Sequence, residues 1–109
     1  MAALDAAIGR IAADGDPTNA ERVRLAQALS GKVAQARYEA FLDRAPVALA
    51  AAARTRTGPG LRTALDAHHA ARELAGSALG LSLDAQATVF EMGGILARLA
   101  DTPISSPRT

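Results

Sequence analysis

His69, Arg72, Gly76 and the leucines around them have the types and spacing of a site that handles, or mimics, a transferred phosphoryl group. A phosphoryl-carrying imidazole must be exposed on a rigid element, and a cation one turn away steadies the phosphate. A small residue beside it lets a partner's active site approach, and an apolar rim adds docking area. Leu61, Leu65, His69, Arg72, Gly76 and Leu79 supply these parts. At about 100° per residue they fall on one mixed strip of a helix. The same residues also fit ordinary helix surface, with the leucines covered by a neighbour and the His and Arg solvated.

A helix over 61–79, closed by Gly80, has to position the strip. Its core face is Ala64, Ala67, Ala71, Leu74, Ala75 and Ala78, and Thr63, Asp66, Glu73 and Ser77 make a polar side. His68 points closer to the core arc and reads as a partly buried spacer. Adjacent histidines diverge by about 100° on a helix, so His68 and His69 do not form a metal site. Gly58-Pro59-Gly60 lacks the Gly-Lys-Ser/Thr ending of a phosphate loop and reads as a turn. Arg54 and Arg56 read as solvated surface.

The remaining elements follow from periodicity and breakers. Leu4, Ile8 and Ile11 predict a short helix over 2–13. Asp16 can cap the next helix, with Pro17 in its first position. A long helical pattern then covers 18–44, kinked at Ser30-Gly31. Leu25, Leu29, Val33 and Ala36 form one stripe, and Ala34, Tyr38, Phe41, Leu42 and Ala45 a second, offset one. Pro46 ends or bends that helix, and 47–56 form a short one before the turn at 57–60. The last helix covers 83–100, capped by Ser82 or Asp84. Phe90, Gly93, Ala97 and Ala100 with Val89 and Leu96 make its core face. Met92, Ile95 and Leu99 lie on another side, covered either by Leu4, Ile8 and Ile11 or by a homodimer or other partner.

The expected architecture is all-α: a four-helix bundle with a short extra N-terminal helix, one domain over 1–101 and a disordered tail at 102–109. The 109 residues fit a single core, and 3% aromatic content with abundant alanine suits closely packed helices. A net charge of +1, with basic residues scattered among acids, argues against nucleic acid. The absence of cysteine excludes disulfides and thiolate metal sites and agrees with a reducing compartment. Neither a secretory leader nor a membrane span is recognisable, so a cytoplasmic location is expected. No acid, base and nucleophile converge from different helices, so neither an enzyme nor a cofactor is expected.

The segment from Ala70 to Ala78, AARELAGSA, resembles the signature helix of histidine-containing phosphotransfer (HPt) domains, four-helix bundles that pass phosphoryl groups between receiver domains. Leu74, Ala75, Gly76, Ser77 and Ala78 follow the family pattern in order, and Gly80, the turn at 81–83 and Glu91 stand where counterparts are expected. The resemblance covers about 61–99; upstream, only helical order and Phe41-Leu42-Asp43-Arg44 agree. Arg72 occupies the phospho-accepting histidine position, and Ala75 stands where a lysine is common. The resemblance therefore implies a degenerate HPt-like domain that docks on a response-regulator receiver without carrying phosphate. Two alternatives stay open: phosphotransfer through His69 with Arg72 as the stabilising cation, and an unrelated small helical adaptor or assembly subunit.

Overall fold

The computed structural model describes residues 2–81 and 83–101, and all regular structure among them is helical. In order these are α1 (Ala2–Asp14), α2 (Ala20–Ala28), a 3-10 turn (Lys32–Ala34), α3 (Gln35–Ala53), α4 (Gly58–Leu81) and α5 (Ala85–Asp101). None of these helices is long and apolar enough to cross a membrane. The expected tail at 102–109 and the capping role of Ser82 lie outside the described residues.

Helix α1 forms where its periodicity places it and buries Leu4, Ala7, Ile8 and Ile11. Gly15 ends it: with φ at 75°, it brings its N–H to the Ile11 carbonyl at 2.9 Å. Asp16 does cap α2, but from outside the helix. Its carboxylate accepts the Glu21 N–H at 3.1 Å and the Arg22 N–H at 2.9 Å, and Pro17 sits in the turn before α2 instead of at its first position. Arg22 folds back on the same carboxylate, its Nε donating at 3.0 Å, and Nη2 reaches the Asp16 carbonyl and the Asn19 side chain.

The expected helix over 18–44 is in fact two. Gly31 has φ of 89°, outside helical space, and the 3-10 turn after it resets the phase of the chain. Val33 therefore leaves the stripe expected of it and is fully exposed, while Ala34, Tyr38, Phe41, Leu42 and Ala45 are buried as expected. Pro46 does not end α3, and no separate helix begins at 47. A proline inside a helix removes one hydrogen bond and clashes with the preceding turn, at about 3 kcal/mol. The burial of Leu42, Ala45 and Leu49 on either side of it offsets that loss, each at 2% exposure or less.

Helix α5 lies at the centre, touching α1, α2, α3 and α4. Met92, Ile95 and Leu99 are buried at 0–4% exposure in the same core as Leu4, Ile8 and Ile11, so they have no surface to give a homodimer. Internal cover is the outcome. Phe90, expected in the core, is instead 36% exposed, and the Arg22 guanidinium lies over its ring at 4.9 Å. The stem of that arginine crosses Gly93, where an added Cβ would come 2.5 Å from Cγ and 3.0 Å from Cδ. Gly93→Ala is accordingly expected to destabilise the fold by about 1–2 kcal/mol net, overpacking outweighing alanine's better helix propensity. In an Arg22→Ala background the same change should become neutral or stabilising, and additive unfolding energies in that double-mutant cycle would refute the contact.

Candidate functional site

Helix α4 starts where a turn was expected. Gly58 takes φ of 58°, and Pro59 fits the first helical turn, where its missing N–H would have no partner anyway. Leu61 then donates to the Thr57 carbonyl at 3.3 Å, and the helix continues through Gly80 to Leu81 instead of closing at 79. Ala64, Ala67 and Ala71 are fully buried and Ala78 nearly so, with Leu74 and Ala75 half-buried against the same core. Single methyl groups at these positions let the helices around the core, α3 and α5 among them, pack close to α4. Arg56, expected as solvated surface, is half-buried and donates to the Leu99 carbonyl at 3.3 Å, tying the α3–α4 connection to the end of α5.

The expected strip is on the surface but is divided. Leu65, His69, Arg72, Gly76 and Leu79 are exposed and Leu61 is half-buried. Arg72, Gly76 and Leu79 line an open groove of about 930 Å³ between α3 and α4, and His68 lines it with them. Leu61 and Leu65 lie instead beside a smaller depression at the α4 N-terminus, with Gly58, Pro59 and Arg62. His69 is outside both: its side chain is 77% exposed and its Nε2 is 3.4 Å from the Glu73 carboxylate. The histidine nearer Arg72's groove is thus His68.

Arg72 is exposed near the middle of α4 and has no hydrogen bond or ion pair among the described residues. Its guanidinium offers five donors in a fork with no acceptor. It can bind a carboxylate or phosphate of another molecule but cannot carry a phosphoryl group. Nothing lies within 4 Å of a Cβ added at Gly76, so packing does not require glycine there. No protein-family model, curated protein or solved structure matches this chain.

No group of three His, Asp or Glu able to hold a metal occurs among the described residues. The wall of the groove formed by α3, with Glu39, Asp43, Pro46 and Val47, was missed from sequence. Its signal was present: Ala36, Ala40, Asp43, Val47, Ala50 and Arg54 follow alternating steps of four and three. That stripe is visible only if the helix continues through Pro46.

Proposed function

We propose that this chain is a protein-interaction module of HPt-like fold that docks on a two-component receiver domain without carrying phosphate. On this reading α1, α3, α4 and α5 are the four-helix bundle, α2 straps the outside of α5, and the work is done in the cytoplasm. The observation that carries the proposal is Arg72, exposed, unpaired among the described residues and set at the position of the resemblance where a phosphohistidine would stand. A cation there suits the carboxylates of a receiver pocket, and charge matching of this kind governs specificity and encounter rate. Gly76 supports it as well. A glycine inside a helix is about 1 kcal/mol worse than alanine, and no neighbour demands it. Clearance for a partner is what it provides.

The experiment is a titration of the chain with receiver domains from its own host, free and phosphorylated, followed by NMR. Arg72→Glu should weaken docking at least tenfold, equivalent to about 1.4 kcal/mol. Gly76→Arg should abolish docking while raising the unfolding free energy by up to about 1 kcal/mol, arginine being the better helix former. Unaltered binding by both variants would point to the unrelated-adaptor reading. Acid-labile phosphate that appears on the chain and vanishes in His69→Ala would establish the relay through His69. The Glu73 carboxylate beside Nε2 opposes that outcome, because it repels an incoming phosphoryl group.

A further inference from the structure

The groove between α3 and α4 is polarised across its width over the stretch of Glu39 and Asp43, while Arg54 adds a cation at the far end of the α3 wall. Glu39 and Asp43 stand one turn apart on the α3 wall, and His68 and Arg72 stand one turn apart on the α4 wall. The walls do not satisfy each other. Among the described residues no ion pair or hydrogen bond crosses the groove, and Glu39 is bonded to Gln35 of its own helix at 2.9 Å. Between the walls the surface is apolar and low, made by Ala40, Pro46 and Ala75 with Gly76 at the edge. From residue 36 to residue 54 the trough is about 27 Å long at ~1.5 Å per residue.

We propose that this groove receives an amphipathic α-helix of a partner protein, with a basic flank along Glu39 and Asp43 and an acidic flank along Arg72. A trough between two helices, floored by small residues, takes the apolar stripe of a third helix as ridges fill grooves. An extended peptide would find no free backbone edge here, because α3 and α4 bond their own backbones internally. A phosphate-rich surface, whether nucleic acid or lipid, would meet Glu39 and Asp43 with like charge. The charge pattern also sets the direction of the incoming helix, since turning it end for end exchanges its flanks. The inference shares Arg72 with the docking reading above but does not rest on it, because neither a receiver fold nor a phosphate enters.

Three synthetic helical peptides with the same leucine stripe test it, titrated by fluorescence anisotropy against the full chain. One carries an acidic and a basic flank, one two acidic flanks and one two basic flanks. The mixed peptide should bind about tenfold more tightly than either other at low salt, since several charge contacts change sign together. Its advantage should fade as salt rises. In a double variant, Glu39→Lys with Asp43→Lys, both walls are basic and the all-acidic peptide should become the tightest binder. Both positions are exposed, and circular dichroism checks that the variant folds. Equal affinity for the three peptides, no binding at millimolar peptide, or an unchanged order in the double variant would each overturn the proposal. An unchanged peptide order together with a receiver domain that binds the double variant as well as the parent would leave the docking reading standing while this one falls.

Discussion

Asp16→Ala is expected to lower the unfolding free energy by about 3 kcal/mol, from two lost capping bonds and a partly buried guanidinium left without its counter-ion. The Asp16 side chain is 4% exposed and that of Arg22 17%. One carboxylate there accepts two N–H groups of the first turn of α2 and the Arg22 Nε. Its removal leaves those N–H groups without an acceptor and the guanidinium without its counter-ion. Since a small domain has about 5–15 kcal/mol of net stability, urea denaturation followed by circular dichroism will read the loss easily. Asp16→Asn retains an acceptor and should lose about half as much. A loss under about 1 kcal/mol for the alanine variant would mean that α2 is held by something other than this pair.

The same carboxylate gives the effect a pH dependence. Burial alone would raise the Asp16 carboxyl, but the Arg22 and Glu21 N–H groups and the Arg22 guanidinium outweigh it and hold it below the ordinary carboxylate value. A group whose pKa is lowered on folding stabilises the fold above its unfolded value, about 3.9, and that contribution is lost as pH falls through the folded one. The gap between parent and Asp16→Ala should therefore be full near neutrality and narrow below about pH 4.

Ala71→Leu is the second large effect, an expected loss of about 3 kcal/mol. Ala71 is fully buried on the face of α4 that packs against the core, and a leucine would push neighbouring helices apart or adopt a strained rotamer. Arg72→Leu, one residue on and exposed, is the control: it should change stability by no more than about 0.5 kcal/mol. Comparable thermal shifts for the two would contradict the placement of α4. Because α3 packs along α4, Ala71→Leu should also disturb binding in the groove, whereas Arg72→Leu should affect binding alone.

Where helices form and which faces they bury was legible wherever the pattern is local. The four-and-three spacing of Leu4, Ile8 and Ile11, the alanine face of α4 and the capping oxygen of Asp84, which takes the Ala87 N–H at 2.9 Å, all follow from neighbours within a few turns. The errors fall where distant residues outweigh a local preference. Pro46 reads as a break because of its backbone, but it lies among buried side chains that hold the helix together. Phe90 reads as core because it is aromatic, but Arg22, far back in the sequence, covers its ring. Dividing the chain at Pro46 also hid the α3 half of the groove.

By itself, the sequence determined an all-helical chain and an α4 that carries Arg72 and Gly76 on its open side, because helical periodicity and side-chain type are properties of a few adjacent residues. Only the tertiary structure decided that Arg72 shares a groove with His68, Glu39 and Asp43 while His69 faces Glu73 outside it. Neighbouring histidines differ by about 100° around a helix, and which of them meets another helix depends on where that helix packs. That placement is set by the alanine contacts of α4 and by α3 running unbroken through Pro46.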